Sequence, residues 1–530
     1  MVLACVAIGE AGCAKRETPV EEGIRTQTLL IGNLAEPRDL DPHIVTSATD
    51  SYILAALFEG LTVLEEQTSR PLPGMADRWD VSPDGLVYTF HLRSDARWSN
   101  GDPVTARDFA YSFQRILTPA LGSEYSYMLW VIKNAEAFNS GKLTDFGAVG
   151  VTVIDDATLR LTLERPTPYL LALAAHSTWL PVHQAVVEKF GRMDQRSTAW
   201  TRPGNLVGNG PFVLKEWSPN SRIVVEKNPL YWDAAHTHLN RVIFFPIESA
   251  DVEERDFRAG QLHVTYDVPP TKVASYRQQN PNELRIDPML NILYVNFNTT
   301  KPPLNNPKVR RALALAIDRE AIARNVFDDA WPAAHSLTPP NCGGYTARAS
   351  IPTDFAAARQ LLAEAGYPGG RGLPSMPIEV LNDNRQTKVG EALQAMWLRE
   401  LGVHITIEAH EQKVWIQDQQ SLAHTIGLLG WVADFPDPAT FLGTFVTGGG
   451  NNNTGWSNAE YDRLINQAAN TADAPGRLEL FQQAEAILLQ EAPVTPLAIR
   501  ANTFLINPAV HGYPPALVGT HRYQLVELKK

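Results

Sequence analysis

The segment from Pro377 to Pro438 limits the fold more than any other part of the chain, because its apolar residues switch repeatedly between strand and helix periods. Ile378 to Leu381 reads as a short strand, and a helix is expected from about Gln386 to Glu400, stopped by Gly402. Val403-His-Ile-Thr-Ile-Glu408 then alternates with the period of a second strand. A further helix near Lys413 to Ser421 leads into the apolar run Thr425-Ile-Gly-Leu-Leu-Gly430, which predicts a third parallel strand. Parallel strands joined by helices make an open α/β sheet with right-handed crossovers. Ligands of such sheets bind outside the carboxyl ends of the strands, and the residues there are Trp431-Val-Ala-Asp-Phe-Pro-Asp-Pro438.

Elsewhere the punctuation predicts a separate α+β region. Thr26 to Gly32 reads as a strand, followed by the Pro/Asp-rich loop Glu36 to His43 and a helix at about Ser51 to Phe58. Asp84-Gly85 marks a turn before Val87 to Arg93, where Tyr88, Phe90 and Leu92 share one face. Thr105 and Asp108 have capping-box spacing ahead of a helix with Phe109, Phe113 and Ile116 on one stripe. Strands are expected at Val151 to Ile154 and Leu159 to Leu163. Asn306-Pro307 opens a helix bearing Val309, Leu313 and Ile317, and another runs from about Phe355 to the stop at Gly366.

A chain of 530 residues exceeds what one hydrophobic core holds, so two or three lobes are expected. With 44% hydrophobic and 20% charged residues it has the composition of a globular protein. A formal charge of −12 without a Lys/Arg cluster argues against nucleic acid as a partner. Two of the three cysteines, Cys5 and Cys13, stand at the very start, leaving Cys342 alone in the body with neither a disulfide partner nor a cysteine zinc set. Beyond the first dozen residues no apolar run approaches the 18 or so that a spanning helix needs. The short apolar stretch Met1 to Ile8, followed by Ala11-Gly12-Cys13 and a polar segment, resembles the end of a lipoprotein signal peptide and makes Cys13 a candidate lipidation site. It lacks a basic start, and Glu10 stands where an aliphatic residue is usual.

Catalytic motifs are missing: there is no phosphate-binding loop with its lysine, no His-Glu-x-x-His and no Gly-x-Ser-x-Gly. The chain is read as a non-enzyme without cofactor or metal. Gly448 to Gly455 is a polar, glycine-rich loop, and His236 and His238 have no third ligand nearby. Trp431 and Asp434 place an aromatic ring and a carboxylate together at a strand end. Pattern alone equally allows a core tryptophan and a turn-forming aspartate.

A longer set of strings decides between these readings. Leu40-Asp-Pro-His43, Leu57-Phe-Glu-Gly-Leu61, Pro73-Gly-Met-Ala-Asp-Arg-Trp79, Tyr88 to Gly101, Val104 to Phe109, Gly208 to Phe212, Pro229 to Trp232, Pro307 to Leu313, Leu361 to Tyr367 and Gly430 to Pro438 occur in one order over nearly the whole body. Together they resemble the oligopeptide-binding proteins of ABC importers, within the peptide and nickel class of solute-binding proteins. The resemblance implies an α/β, type II periplasmic binding protein fold in its large three-domain variant, with two lobes closing on a cleft. It divides the chain into an N-terminal signal and tether (1–24), a discontinuous lobe I (25–59, 185–290 and 502–530), an extra domain II (60–184) and lobe III (291–501). It assigns Asp434 to the α-ammonium group of a peptide and Trp431 to a side-chain pocket, and makes Tyr125 the best match for a ligand-touching tyrosine. Ala433, Tyr266, Tyr294, Asn451 and Asn452 complete the candidate set.

The implied partners are short peptides and the membrane subunits of an ABC importer. The implied location is the periplasm or the outer face of the cytoplasmic membrane, and a monomer is expected. Enteric members hold a disulfide where this chain has Asn291 and Val432, and an arginine where it has Leu428. Binders of an oligosaccharide, a metal chelate or an opine share the architecture and stay open as alternatives, with a peptide-processing enzyme behind them.

Overall fold

The computed structural model describes residues 17–45, 47–382, 384–410 and 412–530. Cys13, with the rest of the signal-like segment, lies outside them. The stretch read as a tether already folds at its end: Thr18 and Glu21 form a reciprocal capping box that opens the helix Pro19–Thr26. This helix is docked, since Val20 is buried and donates its N–H to the Gly260 carbonyl.

Three larger sheets organise the molecule. In the first, Thr28–Gly32 pairs in parallel with Arg241–Phe245, which continues antiparallel to Arg222–Lys227 and Phe212–Ser218. The second is an antiparallel sheet in which Val87–Leu92 lies between Ala76–Val81 and Thr158–Thr162, and Val151–Asp155 closes one edge. Tyr88, Phe90 and Leu92 alternate inward with Thr89 and His91, so strand period and burial agree. The helix Ala106–Leu117 covers this sheet with Phe109, Phe113 and Ile116 buried.

The third sheet has five strands. Met376–Leu381 pairs in parallel with Ile405–His410 on one side and Ile426–Val432 on the other, which is the predicted succession. The helix Asn384–Leu401 crosses over it, burying Val389, Leu393 and Trp397. Successive residues of Ile426–Val432 feed opposite cores: Leu428 packs with Trp397 and Leu393, while Leu429 and Trp431 pack with Phe441 and Trp456.

Two long strands finish this sheet and tie it to the first. Leu284–Phe297 and Val494–Leu505 run antiparallel, with a register shift between Pro288 and Ile292. At the far end Val264 bridges both Ile31 and Ile506, so the ribbon enters the first sheet. Among the described residues no helix is long and apolar enough to cross a membrane.

Candidate functional site

Where Ile426–Val432 ends, the chain turns through Ala433 to Pro438 into the short helix Ala439–Leu442. Ala433 donates its N–H to the Leu290 carbonyl, pinning the turn to the neighbouring strand. Asp437 accepts two bonds of 2.7 Å from Arg477, and both side chains are buried. Such a bidentate pair fixes direction as well as distance. Gly343 packs from the other side at φ +57, and a Cβ there would lie 2.5 Å from the Pro436 carbonyl oxygen. The turn is therefore held on three sides and presents Asp434 outward.

Asp434 is the chemically unusual member. Its backbone N–H donates to Thr440 Oγ1 at 3.0 Å, and the Thr440 hydroxyl faces its Oδ2 at 3.4 Å. Among the described residues no cation reaches its carboxylate. The residue is open to the cleft yet flanked by protein, so lost hydration raises its pKa while Thr440 pulls it back. Trp431 points its indole N–H toward the same Thr440 hydroxyl at 3.5 Å and is half-buried against the core.

Ala433, Asp434, Phe435 and Pro436 line a cavity of about 270 Å³, whose opposite wall comes from Tyr52, Glu59, Glu66, His176, His521 and Arg522. Its carboxylates are engaged: Glu59 accepts from Tyr231 and Trp232, and Glu66 accepts from His521 and from the Arg522 backbone N–H, while the Arg522 side chain also lines the cavity. Burial lowers the His176 pKa to about 4, so that ring is neutral at pH 7. Tyr125, the sequence candidate, is half-buried, stacked on His176 and tilted against Tyr127. Tyr127 instead shares a second hollow with Asp434 and feels its charge: burial first, then Asp434, pushes the phenol up to about 12. Tyr127 carries no distinguishing signal along the chain, since it sits in the 3-10 turn Ser126–Leu129 rather than on a periodic face.

The remaining candidates separate. Tyr266 does not line the Asp434 cavity; its ring centroid is 6.2 Å from that of Tyr52, on a loop whose N–H groups are held by Glu253. Tyr294 is 3% exposed and packs edge-on against Phe445; its strand is paired on both sides, with Leu429 and Pro496 opposite, so it belongs to the core rather than the cleft wall. Asn452 spends its amide on its own loop, donating to the Phe445, Val446 and Trp456 carbonyls and accepting from Thr454. Asn451 is exposed and lines none of the cavities described here. Asn291 and Val432 stand directly opposite each other in register. Cys342 is buried and unbonded, its thiol pKa raised by burial.

One group among the described residues has the make-up of a metal set: Glu379, His410 and Asp418, with ligand atoms within 4.8 Å of one another. It closes on itself, because His410 bonds Asp418 at 3.2 Å and Gln419 donates to Glu379. None of the three lines the cleft cavities.

A two-lobed α/β molecule with a cleft between sheets joined by two crossover strands, and in that cleft a carboxylate that meets no cation among the described residues, defines a solute-binding protein of type II fold. The chain belongs to the bacterial extracellular solute-binding proteins, family 5, whose model matches residues 70–453. It is 36% identical over 500 residues to the periplasmic oligopeptide-binding protein OppA of Salmonella typhimurium, covering 92% of this chain and 90% of that one. Among solved structures, the unliganded open form of the periplasmic murein tripeptide-binding protein MppA superposes with a TM-score of 0.88 at 32% identity, covering 95% of this chain and 97% of that one. OppA of Haemophilus influenzae in complex with the peptide RPPGFSPFR gives 0.68 at 30% identity, over 95% and 99%.

Proposed function

We propose that this protein captures short peptides outside the cytoplasm, holding the α-ammonium group on Asp434, and delivers them unchanged to an ABC importer. The carrying observation is the Asp434 carboxylate, which is fixed in place by its turn and, among the described residues, is met by no cation. A charged group losing hydration needs an opposite charge and hydrogen-bond partners, and the peptide amine supplies both. A backbone that pairs like an added strand supplies affinity common to all sequences. The relatives named for oligopeptide and murein tripeptide binding support this ligand class. The absence of catalytic motifs and the family support a carrier rather than an enzyme.

In this reading Trp431, Ala433, Tyr125 and Tyr266 border the bound chain, and Tyr127 joins them. The lobes meet at Leu284–Phe297 and Val494–Leu505, with 291–501 moving against the rest. A lipid on Cys13 would tether the monomer to the membrane near its importer.

Calorimetry of Asp434→Asn with a tight-binding peptide tests the assignment. The expected loss is about 1.5 to 3 kcal/mol, the scale of a charge-assisted hydrogen bond. N-acetylation of the peptide should cost the wild type a similar amount and Asp434→Asn nothing further. Equal affinity of the free and acetylated peptides for the wild type rejects the role.

A further inference from the structure

At its Ile405–His410 edge the five-stranded sheet is apolar on one face and polar on the other. Ile378 and Val380 pack with Ile405 and Ile407 under the crossover helix Asn384–Leu401. The alternate residues Glu379, Glu408 and His410 therefore stand on the opposite face, and Glu379 lies directly beside Glu408 in register. The helix Gln412–Gln420 packs there and brings Asp418 to the same place, while its Gln419 donates to Glu379. Sheets with parallel strands are ordinarily apolar on both faces, so this group of charges is a local departure.

The charges do not balance. One ligand atom from each of Glu379, His410 and Asp418 falls within 4.8 Å of the others. Glu379 is only 6% exposed, and burial, then the Asp418 charge, raises its pKa. Among the described residues no lysine or arginine pairs with Glu379, Glu408 or Asp418. His410 meets carboxylates at both ring nitrogens, Asp418 at Nδ1 at 3.2 Å and Glu408 at Nε2 at 4.0 Å. A neutral imidazole carries one N–H and can donate to only one of them. The bond that closes the group thus leaves negative charge in a confined space.

A divalent cation resolves that arrangement. One imidazole nitrogen and two carboxylate oxygens are a zinc donor set of the three-ligand kind, with water completing the tetrahedron. Zinc bonds of about 2.0 Å at tetrahedral angles place donor atoms about 3.3 Å apart. The His410 Nδ1 to Asp418 Oδ2 distance of 3.2 Å already has that spacing. With the metal on Nδ1, the remaining Nε2–H faces Glu408, the kind of carboxylate that holds a zinc-bound imidazole in orientation. A nitrogen in the set favours zinc over magnesium or calcium, which take oxygen ligands.

We propose that Glu379, His410 and Asp418 form a zinc site outside the peptide cleft, with Glu408 orienting the imidazole. The ion joins the strand Met376–Leu381, the edge strand Ile405–His410 and the helix Gln412–Gln420. It clamps that helix across the sheet edge just before the chain enters Ile426–Val432, the strand that leads to Asp434. The site is independent of what the cleft binds.

The test is calorimetric titration of zinc chloride, and separately magnesium chloride, into the full chain after dialysis against EDTA. Wild type should bind one zinc per chain in preference to magnesium, and its melting temperature should rise with zinc. Glu408→Gln should weaken zinc binding about tenfold, and His410→Gln and Asp418→Asn should each weaken it further and abolish the thermal shift. The side chains of His410 and Asp418 are 25% and 26% exposed, so neither change opens a core, and circular dichroism checks that each variant is folded. His236→Gln combined with His238→Gln should leave binding as in the wild type. Absence of zinc binding, equal affinity for magnesium, or unchanged zinc affinity in His410→Gln overturns the site. Loss of binding in the His236 and His238 double variant overturns it as well.

Discussion

Tyr169 and Phe435 lie face to face, their ring centroids 4.3 Å apart and their planes 8° from parallel. Tyr169 precedes the short helix Leu170–Leu173, whereas Phe435 directly follows Asp434 beyond the carboxyl end of the middle strand of the five-stranded sheet. The residue that sets the candidate amine contact is therefore backed by a ring from across the cleft. Aromatic pairs of this kind contribute about 0.5 to 1.5 kcal/mol beyond area burial. A double-mutant cycle on Tyr169→Leu and Phe435→Leu, read by denaturant unfolding, should give a coupling energy in that range. Additive losses would show that the rings do not meet in solution.

Acid should weaken peptide capture. An ionised Asp434 is required, and its pKa is raised by lost hydration, so affinity for a free-amine peptide should fall at a higher pH than an ordinary exposed aspartate would dictate. Calorimetry between pH 7 and pH 4 should show this decline in the wild type. In Asp434→Asn the same decline should be absent.

Glu253 makes a separate, opposite prediction for stability. It is 1% exposed, and burial raises its pKa from 4.5 to about 7 despite the N–H groups of Tyr266 and Asp267 that it accepts. Because the folded pKa exceeds the unfolded one, the contribution is full below about 4.5 and is lost as pH rises through about 7. The free energy at stake is about 3 kcal/mol. Glu253→Gln cannot titrate, so its unfolding free energy relative to wild type should improve between pH 4.5 and pH 8. A constant difference over that range would refute the shift.

Arg115 and Asp41 form a fully buried pair, with bonds of 2.9 and 2.6 Å. The same guanidinium contacts His43 Nδ1, whose pKa falls to about 4, chiefly through burial. Removing one partner strands a buried charge, a loss of about 3 to 5 kcal/mol. Arg115→Met should therefore be the most destabilising of these substitutions in urea unfolding, while Arg115→Met with Asp41→Leu should recover part of the loss.

Closure is measurable directly. Contacts to both sides of a cleft favour the closed state, so ligand shifts a hinge equilibrium. X-ray scattering should report a smaller radius of gyration with saturating peptide than without. An identical value would mean that binding leaves the lobes apart.

The parallel unit was readable because strand and helix periods alternate cleanly from Ile378 to Gly430, and the turn that carries Asp434 follows from where such a sheet ends. Alternation gives a residue's face but not what covers it, which is why Tyr294 was expected in the cleft and is instead sealed under Phe445. Asn452 was legible as polar but not as the internal clasp of its own loop. The wall facing Asp434 has no local signature, because Tyr52, His176, His521 and Arg522 come together from distant segments. Pairing in three dimensions, rather than spacing along the chain, creates that chemistry.

The ribbon of Leu284–Phe297 and Val494–Leu505 has a mechanical consequence. Two hydrogen-bonded strands resist twisting and shear far more than they resist flexing across their flat face, so they act as a leaf spring with a single easy direction of travel. A protease nick in one strand leaves the halves aligned by the other, and a cut molecule should still migrate as one particle until it is denatured.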